Sequence, residues 1–190
     1  MKLDRYNIIE KQERAYFNGV VEKFNEEWIL IDLETEEAYP LDEFIYKEIQ
    51  VKRLNRWQTG ILTENYVMQY DNKQFPLQDE DEVRIRKTFT ISFQTWLDEL
   101  NDEAYYQFIQ KLNELGFSIF DSTFCHNYLS FLVSKEKEGV NFLMFDNTLH
   151  LCSVHHHFQY DEDRKNDRFE FTLNTGKRVV LQALQRPYKK

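Results

Sequence analysis

Glycine and proline are scarce in this chain, whose 190 residues hold five of the first and three of the second. The glycines stand at 19, 60, 116, 139 and 176, never at the spacing of a G-x-G-x-x-G dinucleotide loop or a G-x-x-x-x-G-K-[ST] phosphate cradle. The common glycine-lined phosphate sites are thereby excluded. Two cysteines, Cys125 and Cys152, are too few for a disulfide scaffold, and free thiols are expected in a reducing compartment. No stretch approaches the run of about 18 uncharged apolar residues that a membrane helix needs. The amino terminus, MKLDRYNIIEKQERAYF, scatters charges where a secretory signal has a continuous apolar core. A cytoplasmic protein without a membrane segment is expected.

What is abundant is aromatic: 16 Phe, 11 Tyr and 3 Trp, in a chain that is 42% hydrophobic. That content belongs to a packed globular chain, not a disordered one. Acidic residues outnumber basic ones 33 to 24, a net charge of −9, which opposes nonspecific attraction to nucleic acid or anionic lipid. The charge is patchy, with nets of −7 over 1–50, +1 over 51–87, −5 over 88–133 and +2 over 134–190. A local basic face on the second or fourth segment is compatible with the total.

Leu3, Tyr6 and Ile9 fall at roughly helical spacing, which predicts a short helix within 3–14. From 16 to 87 the chain alternates like a set of short strands: YFNGVVEKF, EWILIDL, EIQVKRL, WQTGILT, YVMQY and EVRIRK. Six short strands in so few residues suggest a small SH3-like or OB-like β-barrel. The period then changes. Phe93, Trp96, Leu97 and Leu100, and again Tyr105, Phe108, Ile109, Leu112 and Leu115, follow helical spacing. Helices over about 91–100 and 102–115 are predicted, with Asn101-Asp102 as cap and Gly116-Phe117 as a Schellman ending. Strands resume in FSIFDSTF, NYLSFLV, NFLMFD, LHLCSVHHHFQY, RFEFTLN and KRVVLQAL. Turns are expected at Asp146-Asn147-Thr148 and Asn174-Thr175-Gly176, with a longer charged loop at 160–167. The fold class is α+β, with a helix and small barrel in 1–87 and a helix pair on an antiparallel sheet in 88–190.

Every cysteine and histidine lies between Cys125 and His157. On a strand, His150, Cys152 and His156 share one face while His155 and His157 point to the other. With Cys125 or His126 alongside, an N/S set suited to Zn²⁺ would form. The spacing matches no standard zinc pattern, and ligands two or four residues apart along a strand look too far apart for a tetrahedral site. The bland alternative is small buried thiols and hydrogen-bonded sheet imidazoles. A thiol enzyme with Cys125 as nucleophile, oriented through Asp121 or Asp146, meets the objection that its aromatic setting raises the thiol pKa. Asp161, Asp163 and Asp167 lack the glycine and closing Glu of a calcium loop. Glu26-Glu27, Glu36-Glu37 and Asp79-Glu80-Asp81-Glu82 read as solvated turn residues.

A second candidate surface lies on the barrel: Lys52, Arg53, Arg56 and Trp57 on one hairpin, Arg84, Arg86 and Lys87 on a later strand, with Tyr66 and Tyr70 between them. Cations combined with stacking rings are how such barrels hold peptides or single strands. Against it stand ordinary solvated strand faces, with Trp57 plugging the barrel.

The runs FCHNYLSFL at 124–132, EGVNFLMFDN at 138–147 and DRFEFTLNTGKR at 167–178, with RW-x-x-GI at 56–61 and VRIRK at 83–87, resemble an uncharacterised family of cytoplasmic proteins from Bacillus and its relatives. The resemblance implies a bacterial cytoplasmic origin and brings no catalytic residue, cofactor or partner. The residues therefore point to a non-enzymatic binding protein, with a protein or peptide partner favoured over nucleic acid. The alternative is a metal-dependent or thiol enzyme using Cys125, His126, His150, Cys152 and His156. Homo-oligomerisation through exposed sheet and aromatic surface is compatible with either.

Overall fold

A computed structural model of the chain describes residues 4–25 and 27–184, at Leu184 the backbone alone. Leu3 of the predicted helix and Glu26 of the first carboxylate pair lie outside the described residues. Two compact units emerge, one of residues 15–87 and one of residues 1–14 with 88–190.

Helix α1 (Arg5–Glu10) belongs to the second unit, not to the strands that follow it in sequence. Arg5 is the reason. Its Nη1 and Nη2 donate to the carbonyls of Leu97 and Leu100 at 3.0 and 2.7 Å, its Nε to Asp102 Oδ1 at 3.0 Å, and its guanidinium lies 4.3 Å from the Tyr105 ring centre. One side chain thus satisfies carbonyls at a helix end that have no intrahelical donor.

The first unit is a single antiparallel sheet of β1 (Tyr16–Phe24), β2 (Glu27–Asp32), β3 (Ala38–Pro40), β4 (Glu48–Arg53), β5 (Arg56–Leu62), β6 (Val67–Tyr70), β7 (Lys73–Pro76) and β8 (Asp81–Arg86). Its order is β3-β2-β1-β8-β4-β5-β6-β7. The sheet rolls until Trp28 on β2 and Tyr66 beside β6 bring their ring centres to 6.1 Å, yet no ladder joins the two ends among the described residues. It is not a closed barrel, which corrects the expectation of one. The edges explain this: β3 and β7 are three and four residues long, and each ends in a proline, which has no N–H to extend a ladder. Both strands were missed by the alternation rule because they are too short to show a period. Rolling needs close approach where β5 meets β6, and a Cβ on Gly60 would sit 2.6 Å from the Gln69 carbonyl oxygen. Val21, Leu30, Leu41, Ile49, Val51, Leu62, Val83 and Ile85 fill the concave face.

The second unit carries α2 (Ile91–Glu99), α3 (Asp102–Glu114) and a five-stranded antiparallel sheet of β9 (Ser122–His126), β10 (Lys137–Asp146), β11 (Leu151–Tyr160), β12 (Lys165–Leu173) and β13 (Arg178–Leu184), ordered β13-β12-β11-β10-β9. Asn101 caps α3 by accepting from Ala104 N–H at 2.9 Å. The helix ends as a Schellman motif: Phe117 N–H reaches Leu112 O at 3.0 Å, Gly116 N–H reaches Asn113 O at 2.9 Å, and Gly116 takes φ +88°. The helix pair covers one sheet face with rings, Phe108 lying 5.2 Å from Phe169 and 6.1 Å from Phe145, and Phe93 5.9 Å from Phe145. Residues 117–133 are not the continuous buried strands their apolar content suggested. Short 3₁₀ turns at Ile119–Asp121 and Tyr128–Phe131 flank β9, and Phe124, Tyr128 and Phe131 are exposed. Part of the aromatic surplus is therefore surface.

Candidate functional site

Alternation along β11 decides the fate of the Cys/His set. Cys152, Val154, His156 and Phe158 turn to the helices, whereas Ser153, His155 and His157 turn away. Cys125 is half-buried on the helix side of β9, and burial pushes both thiols up to about 11. His126 is exposed on β9, and exposed His150 sits in the turn before β11, where its N–H donates to Asn147 Oδ1 at 2.7 Å. Cys125, His126, His150, Cys152 and His156 are thus divided between two faces and a turn. Among the described residues no three of them bring donor atoms to metal-binding distance. The zinc arrangement expected from their concentration in sequence does not form.

His156 has a different role. Its Nδ1 accepts from Trp96 Nε1–H at 2.9 Å and from the Asn141 amide at 3.1 Å, an amide oriented by accepting Leu129 N–H at 3.0 Å. Two donors on Nδ1 leave the ring proton on Nε2, which lies 2.9 Å from Asp167 Oδ1. Asp167 also accepts from Tyr160 OH at 2.5 Å and from the Asn101 amide at 3.1 Å, so the carboxylate is ringed by donors. His156, Asp167, Asn141 and Trp96 are fully buried. Burial holds His156 below the usual imidazole range against the pull of Asp167, and raises the Tyr160 phenol, with Asp167 adding to the effect. The cluster fastens α2, the α3 cap and three strands to one another. The charged run predicts a loop over 160–167 that would include Asp167. Asp167 lies instead on β12, because the loop is only 161–164.

On the opposite face of the same sheet, His155 and His157 stand two residues apart, and Glu170 on β12 is paired directly with His155. One ring nitrogen from each imidazole and one Glu170 oxygen lie within 4.8 Å of one another. The objection from strand spacing fails here because it counts backbone rise and neglects the reach of the imidazole. His155 and His157 were assigned to the right face from the sequence. Glu170 could not be found without the register.

In the first unit the predicted basic surface is only partly available. Arg53 is committed to a paired contact with Asp81, which is buried and also accepts Gln78 N–H at 2.8 Å, so Asp81 is not a solvated turn carboxylate. Lys52 pairs with Glu82. Arg84 lies over the Trp57 ring at 4.1 Å, and Arg86 donates to Tyr16 OH at 3.2 Å. Arg56 is exposed. Tyr66 is elsewhere, against Trp28 and donating to Asp42 Oδ1 at 2.6 Å, a bond that raises its phenol pKa. Trp57 is not a plug. It lines an open cleft of about 440 Å³ with Gln58, Thr59, Met68, Tyr70, Lys73 and Phe75. Met68, Tyr70, Lys73 and Phe75 project to one side of the β6–β7 hairpin, whose register pairs Met68 with Phe75 and Tyr70 with Lys73. Lys73 and Phe75 were missed because β7 was missed.

No described helix is long and apolar enough to cross a membrane. No solved structure matches the chain. The uncharacterized protein YisN of Bacillus subtilis (strain 168) is 29% identical over 149 residues, which are 78% of this chain and 76% of that protein. A family described as "Protein of unknown function (DUF2777)" matches residues 3–183, close to the whole chain. The chain belongs to the DUF2777 family.

Proposed function

We propose that the chain is a non-enzymatic cytoplasmic binding protein and that the cleft over β5, β6 and β7 receives a peptide segment of a protein partner. The observation that carries this reading is the lining: Trp57, Tyr70 and Phe75 offer aromatic contact above the buried Met68, Lys73 offers a cation, and among the described residues no carboxylate lines the space. Such a surface suits an apolar or aromatic anchor residue followed by an acidic one. An SH3-like or OB-like mode of action is part of the proposal, since those folds bind across an open face. The enzyme alternative has less support, because its five residues do not meet in a cleft.

Peptides selected by display against the purified protein test this. The expected result is binding that quenches or shifts Trp57 emission and weakens by about thirtyfold in Trp57→Ala or Phe75→Ala, the loss of an aromatic anchor of about 2 kcal/mol. Selected peptides that bind both variants as tightly as the parent would remove the cleft from consideration.

A further inference from the structure

The geometry points to a divalent transition-metal site of the Zn²⁺ class on the outer face of the second sheet, formed by His155, His157 and Glu170. This inference is independent of the peptide cleft, which lies in the other unit. The arrangement follows from the strand period: His156 turns inward between its neighbours, so His155 and His157 both face out, and the β11–β12 register brings Glu170 opposite His155.

Three observations support a site and not a chance neighbourhood. The three donor atoms lie within 4.8 Å of one another. His157 Nε2 is sheltered from solvent and makes no hydrogen bond, although it lies 3.4 Å from Glu170 Oε1. A tetrahedral ion with bonds of about 2.0–2.1 Å holds its ligand atoms about 3.4 Å apart, so this pair already stands at coordination spacing. His155 is steadied by the edge-on Phe142 ring, whose centre is 4.9 Å away.

Two imidazoles and one carboxylate make an N₂O set of intermediate softness, suited to Zn²⁺, Ni²⁺ or Cu²⁺ more than to Mg²⁺ or Ca²⁺. Three protein ligands leave the fourth position to water or to a donor from a bound molecule. One group opposes the ion: Arg168 Nη1 lies 2.5 Å from Glu170 Oε1. Metal and guanidinium compete for the same oxygen. Arg168 therefore sets the affinity without being a ligand, and its removal strengthens binding. His126 lies in the same cross-strand row, paired with Phe142, but contributes no donor to the cluster.

The experiment is calorimetric titration of untagged, metal-stripped protein with Zn²⁺, repeated with Cu²⁺ and followed by electron paramagnetic resonance. A Cys125→Ser/Cys152→Ser background excludes thiol ligation. The expected result is one equivalent bound, a Cu²⁺ spectrum with nitrogen ligation, and affinity reduced at least about tenfold in His155→Asn and in His157→Asn. Binding should tighten in Arg168→Gln and stay unchanged in His126→Asn. Circular dichroism checks that each variant is folded, and the partly exposed positions make that the expected state. Absence of stoichiometric binding, or equal affinity in both histidine variants and the parent, would overturn the assignment. So would Arg168→Gln binding more weakly than the parent.

Discussion

Residues 15–87 fill their rolled sheet mainly with aliphatic side chains, Val21, Leu30, Ile49, Val51, Leu62, Val83 and Ile85, and keep their buried carboxylate, Asp81, beside Arg53. The sheet of residues 122–184 is filled with Phe93, Trp96, Phe108, Phe145, Phe169 and Phe171, and sets a neutral imidazole and a carboxylate at the centre. The first sheet takes its register from its ladder, its turns and the alternation that keeps these side chains inside. In the second, each polar atom of the network accepts or donates in one direction only, so a misplaced strand leaves a buried group unsatisfied.

Three measurements press on that contrast. Asp167→Ala should have the largest effect, about 3–5 kcal/mol, because it leaves the buried His156 N–H and Tyr160 hydroxyl without their acceptor and frees the half-buried Asn101 amide. Hydrogen-exchange mass spectrometry should find the loss in peptides from 88–184 and little change in 15–87. Equal loss in both would mean that the units do not open separately.

Acid should distinguish the units next. Residues 15–87 contain no histidine. His156 is held below its unfolded value of about 6.5, so the unfolded chain binds the proton more readily, and the contribution is intact above pH 6.5 and lost as pH falls below it. The expected slope is up to about 1.4 kcal/mol per pH unit. Urea unfolding followed through Trp96 in a Trp28→Phe/Trp57→Phe background should show it between pH 6.5 and 5. His156→Gln should flatten the slope even though it lowers stability overall, and an unchanged slope would exclude His156 as the source.

The smallest effect expected is that of Ile49→Val, about 0.5–1.5 kcal/mol, read by exchange in 15–87. A much larger loss would mean that the aliphatic core is as exacting as the aromatic one.

Much of this architecture is legible in the residues. Asn101 capping α3 and Gly116-Phe117 ending it are local chemistry, and local chemistry is what a sequence states directly. The alternation that sends His156 inward and its neighbours outward is equally local. What was illegible depends on which strand returns beside which. Glu170 is unremarkable until it faces His155. Asp167 looks solvated in a run of charges until β12 begins two residues before it. The β6–β7 hairpin is hidden because four residues ending in Pro76 carry no period, and the cleft around Trp57 was hidden with it.

The position of Arg5 sets an order of events. Its acceptors, Leu97 O and Leu100 O, are 92 and 95 residues further along the chain. At a synthesis rate of roughly 5–20 residues per second, α1 waits roughly 5–20 seconds on the ribosome before its docking site exists, while the whole of 15–87 is made in between. Helix α1 is thus made well before it can be seated, and during that interval it is open to any chaperone or modifying enzyme that meets the nascent chain.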